Sequence, residues 1–308
     1  MQQNRQGGLN MALSICNTKT GEQGRELLEH GTTSFPIACY HDNLQIKPVP
    51  WHWHDELEAV IVTKGQAIVA IGAEKYLIKQ GDGFFINTGV LHSAWNVDTS
   101  YCRFHSIVFH PRLIGGSIDS IFWQNYVQPL LSNPSLKFLY FHKKVDWNQA
   151  SIQAIEAAWQ SCVTEPLGYE FHVRTALSQL IFLLFSHCST QPNLPTEKEL
   201  RDSIRIKAML QYVHEHYSEE LNTETISKSI MVSPSECLRC FHNTIGTTPI
   251  QYVKQYRIQK AVALLNSTNK KIADIGAECG FQEMSYFAKT FRDIRGCTPS
   301  EYRKSRES

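Results

Sequence analysis

Six residues near the C-terminus recur at a fixed offset: Ser235, Phe241, Gly246, Thr248, Pro249 and Tyr252 return 50 positions later as Ser285, Phe291, Gly296, Thr298, Pro299 and Tyr302. Just upstream the offset becomes 49, aligning Ile226, Met231 and Val232 with Ile275, Gly280 and Phe281, so one residue has been gained in a turn. Two copies are too few to bury the continuous core of a solenoid, so the repeat predicts a pair of similar small units. Each copy reads as a short helix, a turn, a second helix and a Gly-closed exit.

In the first copy, Ser233-Pro234-Ser235-Glu236 supplies an N-cap Ser, a Pro at the first helical position and the Glu of a capping box, so a helix is expected from here to about Thr244. At 100° per residue, Ser235, Leu238, Arg239 and His242 share one face, while Cys237, Cys240, Phe241 and Thr244 share the other. In the second copy Ser285, Ala288, Lys289 and Arg292 form the outer face, against Phe287, Thr290, Phe291 and Ile294. Both helices bury an apolar side and present short and basic side chains. A helix entering the DNA major groove needs such a face, because small residues allow close approach and Arg or Lys reaches guanine edges or phosphates. Two surface helices that happen to be basic are the competing reading, and recurrence of the same surface argues against it.

Shorter helices, TETISKSIM at 223–231 and KKIADIGAECG at 271–280, stand in front of each reading helix as in a helix-turn-helix. Between the copies, Thr248-Pro249-Ile250-Gln251 opens a third helix to about Asn266. At about 25 Å it is a stiff spacer, suited to holding two readers in major-groove faces about 34 Å apart. Charge agrees with this reading. Formal net charge is only +1, but from Arg239 to Arg306 twelve Lys/Arg face five Asp/Glu, a local +7 that leaves −6 for the rest. A basic segment behind an acidic body is the footprint of a phosphate-binding module.

SPSECLRCFHNTIGTTPIQYVKQYRIQKAVALL and KIADIGAECGFQEMSYFAKTFRDIRGCTPSEYRK resemble the AraC/XylS family of transcription regulators over about residues 200–304, with both helix-turn-helix units. The resemblance implies sequence-specific binding to double-stranded promoter DNA and places the family's base-contacting positions on Ser235, Leu238 and Arg239, and on Met284, Ser285 and Lys289. Leu238 there would meet a thymine methyl. The sequence departs from the family pattern at Ser227 and Gly276, where Ala is usual, at Met231 in place of the turn Gly, and at Gln282 in place of an N-cap Ser. Cys237 and Cys240 spell C-x-x-C, but a second pair is missing and both lie on the buried helical face, so a zinc site is not expected.

From Ser34 to about His110, runs such as AVIVTKG, AIVAIG and FHSIVFH broken by Gly, Asp and Asn predict a many-stranded antiparallel barrel or sandwich. Within it His52, His54, Glu58 and Gly65 are followed by Gly81, Asn87, Gly89, His92 and Asn96. In a strand His52, His54 and Glu58 share a face and can converge with His92 from a second strand. The spacing resembles the two-part cupin motif, with Asn87 at the usual Pro. Three uses remain open: ligands of a divalent first-row metal, polar contacts to a small-molecule effector, or plain structure. Trp51, Trp53, Phe84, Phe85 and Trp95 surround the set as barrel core or as a face for a sugar or similar metabolite.

The expected class is α+β: a variable arm (1–33), a cupin-like sensor β-barrel (34–110), a helical dimerisation segment (111–190), a linker (191–199) and an all-α double helix-turn-helix domain (200–304). In the helical segment Ile152, Ile155, Ala158 and Trp159 form one stripe, and Val173 to Phe185 is apolar enough to require burial in its own domain or against a second subunit. No apolar run approaches the roughly 18 residues of a membrane span. MQQNRQGGLNMALSIC lacks a signal pattern and the nine cysteines follow no framework, so a soluble cytoplasmic protein is expected. The resulting expectation is a non-enzymatic, ligand-responsive transcription regulator, a homodimer working with RNA polymerase, whose effector is a sugar or related small metabolite. The alternative is a metal-dependent cupin enzyme fused to a DNA-binding module.

Overall fold

The computed structural model describes residues 13–14, 25–26, 30–97, 101–188 and 196–307. Most of the arm expected at 1–33 therefore lies outside the described residues, as do residues 191–195 of the expected linker. The described residues of the N-terminal half form ten strands: β1 Leu13–Ser14, β2 Ile37–Asn43, β3 Val49–His52, β4 Leu57–Lys64, β5 Gln66–Ile71, β6 Glu74–Lys79, β7 Gly83–Ile86, β8 His92–Asn96, β9 Arg103–Phe109 and β10 Phe138–Phe141. They form a six-stranded sheet of order β1-β2-β9-β4-β7-β10 and a four-stranded sheet of order β3-β8-β5-β6. The ladders between these strands are antiparallel except β1 with β2. Among the described strands no ladder joins the two sheets.

The two-residue period of β4 explains how the sheets are covered. Leu57, Ala59 and Ile61 point to one side, into a core shared with the helices that follow, while Val60 and Val62 point to the other, against Ala67, Val69, Ile78 and Ala94 of the four-stranded sheet. In β7, Phe85 lies on the helical side and Phe84 and Ile86 lie between the sheets. A strand buried on both faces reads as an unbroken apolar run, which is why VIV and FFI show no alternation. Glu58 takes the same parity as Val60 and Val62, so its carboxylate enters the space between the sheets.

The segment expected to be helical from 111 begins with short helices α1 Arg112–Gly115 and α2 Gln128–Leu131, the latter preceded by a π turn. It then returns to the sheet as β10, pairing Phe138 with Ile86 and Phe141 with Gly83. Four residues are too few to carry a periodic signal, and Asp82 helps fix the strand by accepting from Tyr140 Oη at 2.5 Å. Helices α3 Asp146–Thr164 and α4 Tyr169–His187 cover the outer face of the six-stranded sheet. Ile155, Ala158 and Trp159 are buried as the stripe predicts. Helix α4 is less enclosed than its composition suggests: Val173, Leu177, Leu180, Ile181 and Leu184 are buried, but Phe171 and Phe182 face outward.

Seven helices follow: α5 Glu197–His216, α6 Thr223–Ser229, α7 Pro234–Ile245, α8 Pro249–Ser267, α9 Ile272–Glu278, α10 Met284–Arg295 and α11 Pro299–Glu307. Helix α5 starts inside the stretch read as linker. The pairs α6/α7 and α9/α10 are the two repeated units, with α8 between them. In the first turn Met231 sits at φ +56°, the left-handed conformation that its counterpart Gly280 holds at +81°. Gly276 also has a packing reason, because a Cβ there would lie 2.9 Å from Phe287 Cδ1 and 3.0 Å from Met284 Cε. The first unit's core, built from Ile206, Met209, Leu210, Val213, Ile226, Cys237, Phe241 and Tyr252, is continuous with Trp51, Ala70 and Leu91 of the sheets, whereas the second unit packs around its own Ile258, Val262, Phe287 and Phe291. None of the helices among the described residues is long and apolar enough to cross a membrane.

Candidate metal centre and nucleic-acid interface

Strand register brings the four predicted residues together. His52 ends β3 directly opposite His92, the first residue of β8, Glu58 comes from β4 in the facing sheet, and His54 lies in the connection between β3 and β4. One potential ligand atom from each lies within 4.8 Å of all the others. Glu58 Oε2 is 2.9 Å from His92 Nε2 and 3.5 Å from His54 Nε2. Its other oxygen accepts from Ser106 Oγ at 3.1 Å, which orients the carboxylate.

The imidazoles are oriented by backbone. His52 Nδ1 lies 2.9 Å from Pro50 O, His54 Nδ1 3.0 Å from Glu56 O, and His92 Nδ1 2.8 Å from Val90 O. A carbonyl can only accept, so each Nδ1 carries the hydrogen and, in the neutral ring, each Nε2 turns a lone pair into the site. This is the outer-shell arrangement that fixes histidine ligands at metals. His54 Nε2, His92 Nε2 and Glu58 Oε2 are buried with no hydrogen-bond partner. A buried lone pair beside a carboxylate oxygen needs either a proton or a cation between them. Burial disfavours the proton at His52, whose pKa falls to about 4 through desolvation and the neighbouring His92. Burial alone would raise Glu58, but the adjacent His54 and His92 imidazoles hold it well below the usual carboxylate range.

The residues therefore fit a metal. Donors each about 2.1 Å from one ion lie about 3.0–4.2 Å apart, close to the separations around Glu58. Three imidazole nitrogens and a carboxylate could hold a divalent first-row ion. Two further residues approach that the motif does not contain. Glu26 Oε2 is 3.7 Å from His52 Nε2 and 3.3 Å from His30 Nε2, and both side chains are buried. Desolvation opposes the Glu26 charge, yet His30, His52 and His54 outweigh it and bring its pKa down to about 2. Their sequence signal is absent because they lie upstream of every periodic segment.

The surrounding aromatics are used in packing. Trp51 joins the core of the first helical unit, Phe84 fills the space between the sheets and Phe85 lies under α3 and α4. Trp53, between two of the histidines, is capped by Lys207 of α5, whose Nζ lies 3.9 Å from the ring centre and donates to Gly89 O at 2.8 Å. Desolvation lowers the Lys207 pKa to about 8. Gly89 N in turn donates to His54 O at 2.8 Å, so the donor set and α5 share one hydrogen-bonded path.

On the two reading helices the face arithmetic matches the burial. Cys237, Cys240, Phe241, Phe287, Thr290 and Phe291 are buried, and Ser235, His242, Ser285, Lys289 and Arg292 are exposed. Leu238 is 43% exposed, a cost in water that a thymine methyl would relieve. Arg239 is partly engaged: it donates to both Asp202 carboxylate oxygens at 3.2 Å and to Glu236 Oε1 at 2.9 Å. Ser233 Oγ caps α7 by accepting from Glu236 N, but the Glu236 carboxylate turns to Arg239 and Arg205 rather than back to the cap. Met284 is half-buried against the second unit's core, and Tyr286, outside the predicted set, is 43% exposed beside it. The residue before α10 is Glu283, not Gln282, and its side chain makes no capping bond. Burial pushes the thiols of Cys237 and Cys240 up, to about 12 and about 11, in keeping with structural use.

Residues 34–141 match the model of the AraC-like ligand binding domain, and residues 226–305 match a helix-turn-helix domain. The chain is 31% identical over 284 residues to the uncharacterized HTH-type transcriptional regulator YdeC of Bacillus subtilis (strain 168), spanning 91% of this chain and 96% of the relative. It is 24% identical over 271 residues to the HTH-type transcriptional activator RhaR of Mannheimia succiniciproducens, spanning 87% of this chain and 91% of RhaR. It is 25% identical over 285 residues to the activator RhaS of Enterobacter sp. (strain 638), spanning 91% and 98%. With a ligand-binding domain ahead of paired helix-turn-helix units, the chain belongs to the AraC/XylS family of transcription regulators.

Proposed function

We propose that this sequence-specific DNA-binding regulator, a transcription factor and not an enzyme, takes a divalent first-row metal ion as its effector at His52, His54, Glu58 and His92. The carrying observation is the set of inward-facing, partnerless Nε2 and Oε2 atoms in a buried site. A sugar or related metabolite is the less supported effector, because Trp51, Phe84 and Phe85 are buried in the core and Lys207 covers Trp53.

In this reading the two facing sheets are a flattened cupin barrel, and the sensor and reader domains divide near residues 191–199. The outward Phe171 and Phe182 of α4 support α3/α4 as the contact of a homodimer. Ser235, Leu238, Arg239 and His242 meet one promoter half-site, and Met284, Ser285, Lys289 and Arg292 the next, with RNA polymerase as the downstream partner. An effector shifts DNA occupancy only through unequal affinity for two arrangements of the domains. The path His54–Gly89–Lys207 supports such coupling, since an ion drawing the histidines together acts one residue from the Trp53–Lys207 contact.

The test is fluorescence anisotropy of the protein on DNA from upstream of its own gene, with chelator and then with Mn2+, Co2+, Ni2+ or Zn2+ in turn. At least a tenfold change in Kd with one ion is expected, about 1.4 kcal/mol of coupling. Identical affinity in every metal condition, with a change on adding a sugar, refutes the metal assignment.

A further inference from the structure

The first reading helix does not offer its arginine freely. Arg239 shares the outer face of α7 with Ser235, Leu238 and His242, but its guanidinium is turned to two carboxylates. Nη1 and Nη2 donate to Asp202 Oδ2 and Oδ1 at 3.2 Å each, and Nη2 donates also to Glu236 Oε1 at 2.9 Å. Asp202 comes from α5 and is fixed there: it is 8% exposed, and its backbone oxygen accepts from Cys240 Sγ of α7 at 3.4 Å. Lys289, at the same position of the second copy, is exposed and in no ion pair among the described residues, and Tyr286 stands where the first copy has Glu236.

The donor geometry shows what this pairing withholds. A guanidinium has five N–H donors, and only two of its edges present a parallel pair, the Nη1/Nη2 end and the Nε/Nη2 side. Asp202 takes the first edge, and Glu236 takes the remaining Nη2 hydrogen of the second. The donors left over, Nε–H and the Nη1 hydrogen beside Cδ, do not form such a pair. Guanine O6 and N7 together require one. Arg239 therefore reads guanine with two bonds only after a carboxylate lets go. That exchange is chemically accessible. A carboxylate left alone away from water is costly, but Arg205 Nη1 already lies 2.6 Å from Glu236 Oε1 and 4.0 Å from Asp202 Oδ1, and stays with both when Arg239 leaves.

We infer that Asp202 is a positioning residue that sets specificity: by occupying the two-donor edge of Arg239 it competes directly with guanine and limits how strongly α7 discriminates at that base pair. On DNA with guanine there, binding exchanges two bonds to a carboxylate for two to the base, so the gain is reduced by the pairing given up. On any other base Arg239 stays with Asp202 and adds little. The pair thus compresses the difference between right and wrong sequence, a cost that Lys289 in the second unit does not carry. The inference rests on the reading of Arg239 as a base contact under the proposed function.

The experiment uses the full chain. Selection from a randomised double-stranded DNA library gives the preferred site of wild type, and fluorescence anisotropy gives Kd on that site and on copies with single guanines replaced. The guanine whose replacement weakens wild type but not Arg239→Ala is the one Arg239 reads. Loss of a negative charge near DNA tightens binding to every duplex, so the ratio of the two Kd values is the readout rather than affinity alone. Asp202→Asn is expected to raise that ratio by about threefold or more, and Asp202→Glu, which keeps a carboxylate, to discriminate as wild type does. In the Arg239→Ala background, Asp202→Asn should leave the ratio unaltered. A ratio unchanged or lowered by Asp202→Asn overturns the inference while leaving Arg239 as the reader. Absence of any guanine that depends on Arg239 overturns both. Should Asp202→Asn fail to fold, Glu236→Ala, which vacates the Nε/Nη2 edge, carries the same expectation and the same refutation.

Discussion

The two helix-turn-helix turns hold different residues at their left-handed position, and the difference has a calculable effect. Met231 occupies the left-handed region at φ +56° with 95% of its surface exposed, while Gly280 holds the equivalent place at +81°. The backbone bonds correspond: Met231 N to Lys228 O and Val232 N to Ser227 O, against Gly280 N to Ala277 O and Phe281 N to Gly276 O, all between 2.9 and 3.1 Å. A non-Gly residue in this conformation costs about 1–2 kcal/mol. The Met side chain recovers almost nothing by burial, and glycine returns about 0.4–1 kcal/mol through the greater entropy of the unfolded chain. Met231→Gly is therefore expected to stabilise the helical region by about 0.5–1 kcal/mol, the difference of those ranges. The reciprocal change is not its mirror image. A Cβ at Gly280 would meet Tyr217 O at 2.7 Å and Ser218 Cα and O at 2.9 Å, all backbone, so Gly280→Ala adds a clash that flexible side chains cannot relieve. A loss above about 2 kcal/mol is expected there. Urea denaturation followed by far-UV circular dichroism measures both. The reasoning fails if Met231→Gly is neutral or destabilising, or if Gly280→Ala costs no more than the conformational term.

Replacing Arg239 or Lys289 by Ala should weaken binding to the cognate promoter by about 1–3 kcal/mol each and relax its specificity, as read by anisotropy on matched and scrambled DNA. Because Asp202 holds Arg239 in a two-pronged ion pair, Asp202→Asn should tighten DNA binding; weaker binding would show that the pair orients Arg239 for DNA rather than withholding it. His214 is buried against Tyr252 and Tyr256, and desolvation, with help from Lys260 and His52, lowers its pKa from 6.5 to about 3. The native state keeps it neutral, so its contribution is complete above about pH 6.5 and is lost as pH falls toward 3, with a limiting slope of about 1.4 kcal/mol per pH unit. His214→Phe should flatten the stability profile in that window, and an unchanged slope there excludes His214 as the source. Saturating the sensor with Co2+ at about 100 times Kd should add about 2.7 kcal/mol of stability, and calorimetry should find the increment missing in His54→Ala.

Much of the reading machinery was legible because helices carry local signals. Ser233 and Thr248 cap their helices as their side chains suggest, and the 100° arithmetic separated Phe241 and Phe291 from Ser235 and Ser285. What it missed was partnership: nothing local shows that Arg239 meets Asp202, 37 residues away, or that Met284 turns toward the core. Strand β10 was hidden in a segment read as helical because its four residues pair with β7, a non-local contact. The four-residue donor set was visible as spacing, but not through a shared strand face: His52 ends β3, His54 lies in the connection and Glu58 belongs to β4 of the facing sheet, so the crossing between sheets brings them together. Glu26 and His30 were invisible because their segment has no period of its own.

Sequence alone determined the kind of molecule: a duplicated helical pair with basic outer faces, preceded by a strand-rich region carrying His52, His54, Glu58 and His92. These follow from capping chemistry and from the 3.6- and 2-residue periods, which act over a few residues. Tertiary structure alone decided that the Nε2 and Oε2 atoms converge without hydrogen-bond partners, that Glu26 lies beside His52, and that the first reading unit shares its core with Trp51, Ala70 and Leu91. Those facts depend on sheet register and domain packing, where residues distant in the chain are brought within a few ångströms, and no local pattern encodes that distance.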